Sequence, residues 1–221
     1  LRVLKKLGWK DNFDTKRLAK PINFTKFVPV IKNLKLNFLD QGLRYFLKKK
    51  YNRNKSLKLY KIENNFKTIN ESFKFKKSKK KDVKFAEIVR DENWLNWRLM
   101  ECPYKKDIFF FEYKNNFSIV HIYSAKNIKR LNILYSYHTD ELHENEITTM
   151  IANWAINNNI DLMWAINRGK ELDNIFPRIF NKSIRFAAYS TDKKIFEILQ
   201  NGLLDFQGID SDKESSAFIE E

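Results

Sequence analysis

The chain has 221 residues, 43% of them hydrophobic and 15% aromatic, so a packed core is available and global disorder is excluded. Its single cysteine, Cys102, excludes an internal disulfide and a cysteine-rich zinc site, and suits a reducing, cytoplasmic setting. The net charge of +15 is unevenly spread: residues 1–85 carry 26 Lys/Arg against 6 Asp/Glu, whereas residues 86–221 carry 16 against 21. Such asymmetry suits a nucleic-acid or anionic-membrane surface. AT-biased coding, in which Lys is the default surface residue, produces the same excess. No apolar run approaches the ~20 residues of a spanning helix, so no transmembrane segment is expected. The chain opens at Leu1, in what reads as the end of a helix, and truncation of a longer protein is the expectation.

In chain order, residues 1–9 read as the last turns of a helix capped by Gly8, with Trp9 as the apolar contact. Lys16 to Phe27 contains Pro21 and predicts an extended or edge segment. The apolar positions between Val30 and Tyr51 predict a helix, and Leu57 to Ile62 alternates as a strand. Residues 63–84, centred on Lys76 to Lys81, read as a basic linker, with an anion-binding tract as the alternative.

Phe85 to Val89 predicts a short strand leading into Asp91-Glu-Asn-Trp-Leu-Asn-Trp-Arg98, a short helix with Trp94 and Trp97 on one face, stopped before Pro103. Three meander strands follow, Ile108 to Tyr113, Phe117 to Ser124 and Arg130 to Tyr137. The turns between them are expected at Asn115–Asn116, because Asn tolerates positive φ, and at residues 126–129. A helix from Asn145 to Asn158 has Ile147, Met150, Ile151, Trp154 and Ala155 on one face. Asp161 to Asn167 predicts a buried strand, Leu172 to Phe180 a helix, and Lys193 to Leu199 a short helix between strands Ser183 to Ser190 and Gly202 to Gly208. The tail from Ser211 is acidic. This order predicts an α+β (mixed α/β) domain.

That order resembles the GNAT acyltransferase fold: an antiparallel run ending in a central strand, a helix, a parallel strand, a second helix and closing strands. Residues 87–212 resemble the C-terminal half of tandem GNAT-like proteins of bacteria, with an acidic-x-x-aromatic-x-x-Trp-Arg segment, then Pro and a Tyr-ended strand. The matching residues are Asp91, Trp94, Trp97, Arg98, Pro103 and Tyr113, and the closing Gly208-Ile-Asp210-Ser-Asp212 fits the same pattern. The resemblance implies four segments. Residues 1–62 would be the C-terminal tail of a first GNAT-like domain, 63–84 the basic linker, 85–212 a second GNAT-like domain, and 213–221 an acidic tail.

The resemblance also implies a cofactor, acetyl-CoA or another acyl-CoA, held between splayed central strands, with its pyrophosphate on backbone amides at the following helix N-terminus. The family's glycine-rich pattern there is absent. Tyr137 to Asn145 contains no glycine and carries Asp140, Glu141 and Glu144, a loop whose charge repels CoA. A degenerate second unit that shapes the acceptor site is the expectation, with acyl-CoA held mainly by the missing N-terminal unit.

Candidate site residues follow. Asn167 matches a polar position beside the cofactor, with a strand-ending turn residue as the alternative. Tyr135 and Tyr189 are candidate proton donors to a departing thiolate, or packing residues. Trp94, Trp97 and Arg98 are candidates to line the substrate groove. Otherwise the Trp pair staples a domain entrance and Arg98 pairs with Asp91 or with Asp210/Asp212. His138 and His143, five apart, lack metal-ligand spacing and read as loop residues, and Cys102 lacks a base partner. The implied activity is acyl transfer to the amine of a small molecule or peptide, with no specific nucleic acid expected as partner. The alternative is a non-catalytic module whose basic third, with Phe73 and Phe75 interleaved among lysines, binds nucleic acid or an anionic membrane surface.

Overall fold

The computed structural model describes residues 15–23, 26–27, 41–42, 45–46, 49, 58–71, 86–87, 90–137, 141–167, 175–176, 182–184, 191–200 and 204–205. Its strands are β1 (Thr15–Pro21), β2 (Lys58–Lys61), β3 (Ala86–Glu87), β4 (Ile108–Tyr113), β5 (Asn116–Ala125), β6 (Ile128–Tyr137), β7 (Leu162–Asn167), β8 (Lys182–Ile184) and β9 (Leu204–Asp205). Its helices are α1 (Glu92–Leu95), α2 (Glu141–Asn157) and α3 (Lys193–Gln200). Among the described residues, seven strands form one sheet in the order β2-β4-β5-β6-β7-β1-β8, and β3 pairs with β9 in a separate parallel ribbon.

The alternating apolar run from Ile108 folds as expected into the antiparallel meander β4-β5-β6. Both hairpins close through two residues of positive φ, Lys114–Asn115 (49° and 62°) and Lys126–Asn127 (51° and 62°). Mirror-image turns of this kind match the twist of the strands. The first turn therefore lies one residue before the expected Asn115–Asn116. Asn116 instead opens β5, and its Nδ2 donates to the carbonyls of Lys114 and Tyr113 at 2.9 and 3.3 Å. From β6 the chain crosses through α2 into β7, which runs parallel to β6. The result is a mixed α+β architecture.

The sheet buries both faces. Under α2, Val120, Leu131, Ile133, Met163 and Ala165 pack against Ile147, Ile151 and Ala155. On the other face, Phe110, Phe117, Ile119 and Tyr135 pack against Leu95, Leu99, Ile62 and Ile69. Each fully buried large side chain contributes roughly 1.5–3 kcal/mol.

Several expectations are corrected. Residues 16–21 are not an edge: β1 lies between β7 and β8, with Leu18 fully buried and Pro21 at the last rung, where the ladder ends. Strands from both sides of the 63–84 tract thus share one sheet. Part of that tract is not a solvated connection, because residues 66–71 are helical and bury Ile69. The second helix starts at Glu141 rather than Asn145, taking in part of the expected cofactor loop. Where the expected helix 172–180 is described, Ile175 and Phe176 form a buried turn whose carbonyl, that of Ile175, accepts from Lys20 Nζ at 2.9 Å. The last strand, β9, leaves the main sheet to pair with β3. The expected helix end at 1–9, the lysine run 76–81 and the closing Gly208 to Asp212 segment lie outside the described residues. The expected helix from 30 to 51 does so for the most part, although its described residues 41–42, 45–46 and 49 are helical.

One side chain joins three elements at the sheet end opposite the hairpin β4–β5. Asp161, 2% exposed, accepts the Lys129 amide at 2.8 Å, Lys26 Nζ at 2.7 Å and Asn23 Nδ2 at 3.0 Å. Its carbonyl accepts the Ile22 amide at 2.8 Å. Asp161 thereby holds the end of β1, the start of β6 and the turn into β7 in one register.

Candidate functional site

The parallel pair β6–β7 is hydrogen-bonded only over its first half. Pairing runs from Arg130↔Leu162 to Ile133↔Ala165, after which β6 continues to Tyr137 beside β5, while Ile166 and Asn167 continue beside β1. A register shift explains the divergence. Val120 faces Ile133 and Ile119 faces Tyr135, so Leu134 is an extra residue without a Cα partner on β5 or β7. Such a bulge bends its strand and raises the local twist, which turns β6 away from β7. A wedge thus opens at the carboxyl ends of two parallel strands, where ligands of open α/β sheets sit. Asn167 ends β7 on one side of the wedge, and Tyr137 ends β6 on the other, with α2 next among the described helices in chain order.

The first turn of α2 does not fit a pyrophosphate. It contains Glu141 and Glu144, the latter 2% exposed, and no glycine to let a phosphate approach the backbone. A carboxylate within this turn occupies the favourable end of the helix dipole that an anionic cofactor needs. His143, read from sequence as a loop residue, lies within this same turn; His138 is outside the described residues.

Tyr135 is fully buried on β6 in the core opposite α2, with the Arg90 guanidinium 5.0 Å above its ring. Tyr189 lies outside the described residues. The Trp segment is placed by Asp91, whose carboxylate accepts the Trp94 amide at 2.8 Å and so caps α1. Asp91, one of the carboxylates expected to pair with Arg98, thus caps α1 through one of its oxygens, and Asp210 and Asp212 lie outside the described residues. After Leu95 the helix widens into a π turn, Asn96–Met100. Trp94 packs against the core while Trp97, 56% exposed, meets it edge-on at 6.4 Å and 67°. Beside them Phe66, Asp91, Glu92, Asn93 and Asn96 line an open, acidic cavity of about 420 Å³. Cys102 donates to the Leu99 carbonyl at 3.4 Å, and burial raises its thiol pKa despite Arg98 and Lys105 nearby. Among the described residues no cluster of His, Cys, Asp or Glu is arranged to hold a metal.

A polar patch that the sequence did not announce lies one rung below the wedge, on the sheet face away from α2. His121 on β5 faces Asn132 on β6, which faces Trp164 on β7. Two residues along on the same face, Tyr123 faces Arg130. His121 and Asn132 are fully buried. The imidazole is stacked between Tyr104 at 4.6 Å and Tyr123 at 4.7 Å, and burial pushes its pKa down to about 4, so it is neutral at physiological pH. Trp164 Nε1 donates to Tyr123 Oη at 3.2 Å, and the Arg130 guanidinium stands 6.0 Å from the Tyr123 ring. Both ring nitrogens of His121, both ends of the Asn132 amide and Arg130 Nε are buried without a hydrogen-bond partner among the described residues. The signal in the sequence was a histidine at a core position of the alternation Phe117, Ile119, His121, Tyr123.

The chain matches no family model and no curated protein. Among solved structures it is similar to a conserved protein from Enterococcus faecalis described as a probable N-acyltransferase, at 9% identity and a TM-score of 0.49, over 84% of this chain and 41% of that one. It is also similar to GCN5-related N-acetyltransferases from Anabaena variabilis (10% identity, TM-score 0.49, 84% of this chain and 42% of that one) and Kribbella flavida (7%, 0.48, 84% and 38%). The chain spans about two fifths of the length of these three structures. Among the described residues no helix is long and apolar enough to cross a membrane.

Proposed function

We propose that this chain is the C-terminal part of a GNAT-type N-acyltransferase, which moves an acyl group, acetyl in the simplest case, from acyl-CoA to an acceptor amine. The observation that carries the reading is the divergence of β6 from β7 beyond Ile133 and Ala165, produced by the bulge at Leu134 and followed directly by a crossover helix. The strand order around it, an antiparallel meander leading through a helix to a parallel strand, is the one implied by the sequence resemblance.

Within that reaction this unit serves the acceptor. Glu144, buried in the first turn of α2, speaks against CoA binding here, so acyl-CoA is held by a first unit ahead of this chain. The wedge and the polar face beneath it then shape the space in which the amine is received.

Calorimetric titration with acetyl-CoA tests the division of labour. This chain alone is expected to show no saturable heat, and a polypeptide carrying the first unit ahead of it is expected to bind. Saturable binding by this chain alone refutes the acceptor-side role, and no binding by either refutes the acyltransferase reading.

A further inference from the structure

Buried hydrogen-bonding groups in folded proteins are almost always paired, and a buried group left unpaired marks strain, catalysis or a ligand. Here five such atoms, on His121, Asn132 and Arg130, share one face of two adjacent strands. Opposed Cβ atoms on neighbouring strands lie about 5 Å apart, and residues i and i+2 on one strand about 7 Å. The three side chains therefore start within the span of one small molecule, on the same face of the sheet. Their chemistry is complementary to a zwitterion. Arg130 Nε and the Asn132 amide nitrogen donate, which suits a carboxylate. Asn132 Oδ1 and the unprotonated nitrogen of a neutral imidazole accept, which suits an amine. The aromatic rings of Tyr123 and Trp164 flank the patch. His121 and Asn132 form its buried floor, and the half-buried Arg130 and Tyr123 its rim.

We infer that His121, Asn132 and Arg130 form a binding subsite for a small amine that also bears a carboxylate, a free amino acid, with Arg130 holding the carboxylate and Asn132 and His121 receiving the amine. The inference rests on the acyltransferase reading in that the bound amine is the acceptor, and it names the acceptor's class. The patch lies one rung from the point where β6 and β7 part, so an amine held there is beside the wedge.

The test needs no acyl donor, so its outcome is independent of whether the protein transfers acyl groups. The full chain is labelled at its three histidines, and the His121 imidazole signals are identified by their loss in His121→Gln. Amino acids are titrated in, alongside matched amines that lack the carboxylate. A saturable shift of the His121 signals with amino acids, absent with the matched amines, is expected. Arg130→Gln is expected to weaken the response ~10-fold or more, the usual effect of losing a charge-assisted hydrogen bond. Asn132→Leu separates a ligand site from a structural one. It should abolish the response while leaving the thermal midpoint unchanged or higher, because it removes a buried polar group that has no partner. Three results overturn the inference: no shift with any amino acid, an equal shift with amines lacking a carboxylate, or a clearly lower thermal midpoint for Asn132→Leu.

Discussion

His121 offers a stability prediction that can be worked from the structure. In the unfolded chain a histidine titrates near 6.5, whereas burial between Tyr104 and Tyr123 pushes the folded value down to about 4. The unfolded state therefore binds the proton more readily, and stability falls as pH drops from about 6.5 towards 4. The full difference corresponds to roughly 3 kcal/mol. His121→Phe keeps an aromatic ring between the two tyrosines and cannot titrate. It also removes two buried nitrogens without partners, so at pH 7 it should be at least as stable as the parent. Urea unfolding of both proteins at pH 7, 6, 5 and 4 measures the gap between them, and carboxylates common to both cancel in that difference. The gap should widen in favour of His121→Phe by roughly 3 kcal/mol at the acid end. A gap that stays constant across these pH values refutes the burial of a neutral imidazole at this position.

Three further outcomes follow from particular contacts. Asp161→Ala deprives the Lys129 amide and Asn23 of their acceptor, with a smaller loss from the half-exposed Lys26; it should cost about 2–4 kcal/mol and lower the thermal midpoint by about 5–12 °C in calorimetry. Asp91→Ala removes the cap on α1 and should cost about 1 kcal/mol by urea denaturation, an unchanged midpoint contradicting the cap. Asn115→Gly relieves a side chain at φ 62° and should stabilise the β4–β5 hairpin by up to about 1 kcal/mol, whereas Asn116→Gly, in the strand and bonded to the turn carbonyls, should destabilise.

The parts of the fold legible in the sequence are those set by local periodicity. The meander from Ile108 to Tyr137, the buried strand at Leu162 and the apolar face of α2 each carry their pattern within a few residues. What was not legible depends on partners distant in sequence. Pro21 allows an extended or an edge segment; β1 is extended but interior, because β7 supplies its hydrogen bonds on one side and β8 on the other. The closing strand was visible at Leu204, but its pairing with β3 rather than with the main sheet was not. The acidic start of α2 read as a loop because its carboxylates and histidine lack apolar periodicity, although acidic residues favour a helix N-terminus.

The candidate site divides in the same way. The absence of a glycine-rich turn after Tyr137 was plain from the residues. The wedge was not, since the Leu134 bulge appears only when β5 and β6 are placed in register. His121 and Asn132 are not legible for a related reason. Each is a single polar residue in an apolar strand, and only cross-strand pairing shows that they face one another.

Acyl transfer itself tests the central claim most directly. A polypeptide with the first unit ahead of this chain is incubated with acetyl-CoA and a panel of amines, and release of the free CoA thiol is followed. The account predicts amine-dependent release that is lost when this chain is removed. No release with any amine, or undiminished release without this chain, contradicts it.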